Sequence, residues 1–156
     1  MLNNFKNGYF SDNLALPDQL KQAVLEKNWG QVDAFCKELI TVSGPLFSYL
    51  HPYAKQKKIE FILSVRDSKN DWEEDGIWHD DGSRVLAFSL GLNLEPMQIK
   101  GGELLLRPKG VTEFESIPPM NFGQIIVFKT GVSGYEHMVK EVTEGHRVVM
   151  AGWCYN

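Results

Sequence analysis

The chain has 156 residues, 43% of them hydrophobic, with two cysteines and a formal net charge of −4. That length suits one domain with a core that needs no disulfide framework, and the core-like neighbours of Cys36 and Cys154 (Phe35 and Trp153) point to a reducing, cytoplasmic setting. The acidic balance argues against a nucleic-acid partner, the first residues lack the features of a secretion signal, and LITVSGPLFSYLHPYA, cut by Gly44 and Pro45, falls short of the ~20 apolar residues that span a bilayer.

In chain order, LPDQLKQAVLEKNW places Leu20, Val24 and Leu25 at helical spacing, with Pro17 suited to a first turn. The stretch QVDAFCKELITV repeats that spacing through Val32, Phe35 and Leu39. Two amphipathic helices are predicted, and a third, shorter one in PLFSYLHPYAKQ, interrupted by Pro52. Near residue 58 the pattern changes to short β-type runs: KIEFILSVR, SRVLAFSLGLN, GELLLRP, GQIIVFK, HMVKEV and HRVVMAGWCY. Turn residues separate them and no helix-length segment intervenes. Strands at this density predict an antiparallel sandwich or barrel with the leading helices on one outer face. The expected fold is mainly β with N-terminal helices (α+β). A single domain over 1–156 is expected, with a helical lead-in over 1–57 and a β core over 58–156.

Chemistry concentrates in DWEEDGIWHDDG, which holds Asp71, Glu73, Glu74, Asp75, Asp80 and Asp81 and no Lys or Arg. The first four read as a solvated loop. In an extended chain residues i and i+2 share a face, so His79 and Asp81 face together and Asp80 faces away. Such a pair suits either a surface hydrogen bond or two adjacent positions on a metal ion. A third ligand has to come from a distant segment. His51, beside Pro52, suits a surface or capping role, and His146 and Arg147 point to opposite faces of the last strand. His137, which opens HMVKEV, is the better candidate.

From His137 the chain reads HMVKEVTEGHR, preceded by His-x-Asp and by GGELLL. This pattern resembles the iron(II)- and 2-oxoglutarate-dependent dioxygenases, within them the branch that includes prolyl 4-hydroxylases, over roughly residues 77–155. The resemblance implies a double-stranded β-helix (jelly roll), metal ligands His79, Asp81 and His137, and Arg147 as the residue that binds 2-oxoglutarate. Two imidazoles and one carboxylate on one face of Fe(II) leave positions for the keto acid and O₂. A guanidinium fork can meet the far carboxylate with two charge-assisted hydrogen bonds; taken without the upstream motifs, Arg147 also suits a surface salt bridge. Alternation puts Val149, Ala151 and Trp153 on the same side as Arg147. Gly101-Gly102 falls where the family has a Gly-Gly turn, and reads as a hairpin turn.

Two departures stand out. Where some family members carry a tyrosine that helps hold the co-substrate, SLGLN has Gly91, so another group, Ser89 among them, has to help. Where many carry a proline before the position of Val142, this chain has Glu141. The run VVMAGW after Arg147 lacks the second arginine of the nucleobase demethylases in that superfamily. By resemblance the substrate is a small molecule or peptide, a peptidyl or free amino acid with proline first, and ascorbate is a supportive additive. An acidic 71–75 loop over the site would favour a positively charged substrate. The other reading is a non-catalytic or zinc-holding binding module on the same scaffold.

Overall fold

The computed structural model describes residues 8–69, 76–80, 82, 84–131 and 134–156. The elements run β1 (Tyr9–Asn13), α1 (Asp18–Leu25), α2 (Trp29–Leu39), α3 (Pro45–Ala54), β2 (Lys58–Arg66), β3 (Leu86–Gly91), a 3₁₀ turn (Pro96–Gln98), β4 (Lys100–Gly101), β5 (Leu104–Pro108), β6 (Glu115–Ile117), β7 (Gln124–Lys129), β8 (Tyr135–Val139), β9 (Val142–Glu144) and β10 (Arg147–Tyr155).

Local chemistry sets the helix ends. The Asn28 side chain accepts a hydrogen bond from the Gln31 backbone at 3.2 Å and caps α2. In α3, Pro45 occupies the first turn after Gly44, and Lys55 closes the helix in a left-handed conformation at φ 49°. Pro52 does not interrupt α3, contrary to expectation. It lies in the last turn, so its missing N–H removes a bond only just before the helix stops at Ala54.

Five strands form one antiparallel sheet in the order β1-β7-β3-β10-β2; β6-β5-β8 and β4-β9 form two smaller ones. Directly paired residues share a face, and the registers give the large sheet two distinct sides. On one side lie Phe128 with Ala87 and Trp153, Ile126 with Ser89 and Ala151, Val149 with Ser64, and Arg147 with Arg66. Ala87, Ile126 and Phe128 pack there against Leu104, Leu106 and Met120, so this side faces the β5 sheet across an interior. On the other side Phe88, Leu90, Ile125, Val127, Val148 and Met150 pack against Leu20, Val24, Val32, Cys36, Leu46 and Leu50 of the helices. The helices thus cover one face, as the pattern predicts. Each large side chain buried here contributes about 1.5–3 kcal/mol.

Three strands, β1, β4 and β6, were not predicted. The stretch HMVKEV forms two strands rather than one: β8 pairs with β5, and β9 with β4. Gly101-Gly102 is not a hairpin turn. It joins two strands paired to successive arms of the β8–β9 unit, with a register shift at Lys100/Gly101. Both glycines are left-handed, at φ 76° and 72°. A β-carbon on Gly101 would collide with the Glu141 carbonyl, and one on Gly102 would lie 2.9 Å from Arg147 Cδ.

Candidate active site

His137 sits in the middle of β8, opposite Leu106 of β5, and is only 8% exposed. Its other backbone edge is taken by His79, which donates to His137 O at 3.0 Å and accepts from His137 N at 2.9 Å. This is an isolated antiparallel bridge, and it sends both side chains to the same face. The two rings lie 4.1 Å apart between centroids, inclined at 61°. Phe128 stands behind His137 at 5.1 Å. His79 Nδ1 is 3.2 Å from the Ile77 carbonyl; a proton on Nδ1 makes this a hydrogen bond and leaves Nε2 with its lone pair.

Burial, with His79 next in weight and Asp80 opposing, holds the His137 pKa down at about 3. The imidazole is therefore neutral at physiological pH, the form that ligates metals. Metal–imidazole bonds of about 2.1 Å put adjacent ligand nitrogens about 3 Å apart, which two rings at 4.1 Å can meet. Asp80 has partners of its own, though it lies near enough to His137 to act on it electrostatically. It accepts from Lys109 Nζ at 2.7 Å and from the Gly82 backbone at 2.9 Å, and the Lys109 contact holds its carboxyl below the usual range. Asp81 lies outside the described residues, as do Asp71, Glu73, Glu74 and Asp75. Among the described residues alone, no three His, Cys, Asp or Glu side chains converge as a metal site.

His79 and His137 line a cavity of about 60 Å³ that also holds Arg147, Val149, Ala151 and Trp153. Arg147 is 3% exposed, so it is no surface salt-bridge residue. Its strand is pinned by Asn93, whose Oδ1 accepts from Val148 N at 2.7 Å and whose Nδ2 donates to Met120 O at 2.8 Å. At the other end of β10, the Arg84 guanidinium lies 4.7 Å from the Trp153 ring and donates to Tyr155 Oη at 2.8 Å. The two remaining histidines lie elsewhere. His51 stacks on Phe47 at the surface. His146 lies 3.6 Å from Asp67 and lines a larger cavity, about 570 Å³, between α1 and the opposite face of the sheet.

Ser89 lines the cavity, as do Ser64 and Arg66 of β2, which sequence reasoning missed. The available signal was the alternation of Ile62, Ser64 and Arg66 opposite Leu63 and Val65 in KIEFILSVR. At Gly91 no larger residue fits, since a β-carbon would lie 2.6 Å from Asn121 O and 2.8 Å from Met120 Cβ.

Sheets that bring His79, His137 and the buried Arg147 around one cavity define a β protein with a polar site in its interior. The model of the 2OG-Fe(II) oxygenase superfamily matches residues 55–155, and the chain belongs to that family. A PKHD-type hydroxylase of Prochlorococcus marinus (strain MIT 9211) is 35% identical over 105 residues, covering 65% of this chain and 44% of that protein. Another, from strain MIT 9301, is 31% identical over 119 residues, 74% of this chain and 50% of that protein. The chain therefore spans about half the length of these curated relatives. A Pseudomonas putida prolyl-4-hydroxylase superposes with a TM-score of 0.66 at 16% identity, covering 99% of this chain and 92% of that one. A Trichoplax adhaerens prolyl hydroxylase, solved with a hypoxia inducible factor peptide fragment, gives 0.62 at 14% identity, covering 99% and 86%. These two share the fold.

Proposed function

We propose that the chain is an Fe(II)- and 2-oxoglutarate-dependent hydroxylase, one oxygenase domain with a double-stranded β-helix core, in which His79, Asp81 and His137 hold the metal and Arg147 binds the co-substrate. The observation that carries this reading is the placement of His79, His137 and Arg147 around one buried cavity. Bound there, Fe(II) supplies the oxidative chemistry, in which O₂ and 2-oxoglutarate yield succinate and CO₂ while a substrate C–H is hydroxylated.

The chain's own residues do the positioning. The backbone bridge between His79 and His137 fixes both rings on one side, and Phe128 limits rotation of the second. Arg147 meets the distal carboxylate with a bidentate fork, which turns the keto-acid end toward the imidazoles. Val149, Ala151 and Trp153 give part of the wall an apolar surface beside the polar Ser64, Arg66 and Ser89, which limits water there and strengthens each polar contact. A peptidyl or free amino acid, proline first, is the favoured substrate; the hydroxylase relatives and the peptide-bound neighbour support this class.

The test is succinate release from 2-oxoglutarate by purified protein with Fe(II) and ascorbate, first without and then with proline-containing peptides and free amino acids. Slow turnover that a substrate accelerates is the expected result. No succinate under any condition, with zinc recovered in the purified protein, refutes the reading in favour of a binding module.

A further inference from the structure

We propose that Ser64 and Arg66 of β2 complete the carboxylate-binding end of the cavity, with Arg66 supplying a second guanidinium beside that of Arg147. This rests on reading the cavity as the 2-oxoglutarate site, and it assigns the contact that Gly91 cannot make.

Arg66 and Arg147 are direct partners in the β2–β10 register, and directly paired side chains leave the same face of a sheet about 5 Å apart. Both line the cavity, and both are buried, at 7% and 3% exposure. The cavity lining carries both guanidiniums. An anion entering between them is therefore drawn by two forks, each able to donate in its plane.

The second observation is independent of charge. Ser64 lies two residues before Arg66, paired with Val149, and lines the same cavity at 1% exposure. Its hydroxyl has no hydrogen-bond partner among the described residues. A buried hydroxyl left unpaired is costly, and a carboxylate oxygen at this end of the cavity satisfies it. At Gly91 the Asn121 carbonyl and Met120 close off the space a side chain would need, so β2 supplies the group from the other side of β10.

The experiment is isothermal titration calorimetry of the Mn(II)-loaded chain with 2-oxoglutarate and with 2-oxobutyrate, which keeps the keto acid and lacks the distal carboxylate. Arg66→Gln is expected to weaken 2-oxoglutarate binding about tenfold or more while 2-oxobutyrate binding stays within about twofold. Ser64→Ala shows the same selectivity with a smaller loss. Arg66→Lys, which keeps the charge without the planar fork and disturbs folding less, gives an intermediate affinity. If all three bind 2-oxoglutarate as wild type does while Arg147→Gln loses it, this inference is overturned and the proposed function stands. Equal losses for both keto acids also overturn it, because they mark a general disturbance of the site. Failure of the wild-type chain to bind 2-oxoglutarate overturns both.

Discussion

Replacing Asn93 by alanine tests how the site is held rather than what it binds. Asn93 is 3% exposed and joins two segments by two short hydrogen bonds: Val148 N to its Oδ1 at 2.7 Å, and its Nδ2 to Met120 O at 2.8 Å. Alanine removes both partners at once and leaves a buried N–H and a buried C=O unmatched. At about 1–3 kcal/mol for each stranded group, the loss is about 2–6 kcal/mol, a large share of the 5–15 kcal/mol typical of a whole domain. Val148 follows Arg147 directly, so the freed segment includes the start of β10. Urea unfolding followed by tryptophan fluorescence is the assay. With an m-value of about 2 kcal/mol/M, the midpoint falls by about 1 M or more. A loss of about 0.5 kcal/mol or less, the range of ordinary surface substitutions, would show that Asn93 is not the clasp described here.

Gly102→Ala strains a left-handed residue at φ 72° and pushes a β-carbon to 2.9 Å from Arg147 Cδ, so it is expected to lower thermal stability by about 1–2 kcal/mol and to weaken 2-oxoglutarate binding in calorimetry. Asp80→Asn removes a solvent-screened ion pair to Lys109; it should leave the urea midpoint nearly unchanged and iron binding intact, whereas Asp81→Asn abolishes iron binding, as a metal titration of both variants will show. In metal-free protein, His137 stays neutral down to about pH 3, while in the unfolded chain it takes a proton near pH 6.5. The unfolded state therefore binds more protons between these values, and stability is lost as pH falls from about 6.5 toward 3, by up to about 1.4 kcal/mol per unit. Urea midpoints across that range should flatten in His137→Gln.

The parts of the fold legible in the sequence are those where burial imposes a strict period. KIEFILSVR coincides with β2 because apolar residues recur on its helix-facing side. β1 and β6 were not legible because a short strand such as Ser-Asp-Asn after Tyr9-Phe10, or Glu-Ser-Ile, carries too few buried positions to set a period. β8 and β9 merged in the sequence because Lys140-Glu141 lacks the glycine or asparagine that marks a turn. At the site, His137 was singled out because it opens a β-type run, and Arg147 through the resemblance that HMVKEVTEGHR carries. Ser64 and Arg66 were not, because polar residues alternating along a strand look the same whether they face water or a polar cavity. Here the second face of the sheet is covered by the β5 sheet, which only the tertiary fold reveals.

The central claim, that His79 and His137 share one metal ion, is tested most directly by anaerobic equilibrium binding of Fe(II) to the purified chain and to His79→Ala and His137→Ala. The account predicts one ion per wild-type chain and loss of that site in each variant, with both variants still folded by circular dichroism. Wild-type affinity in either variant would contradict it.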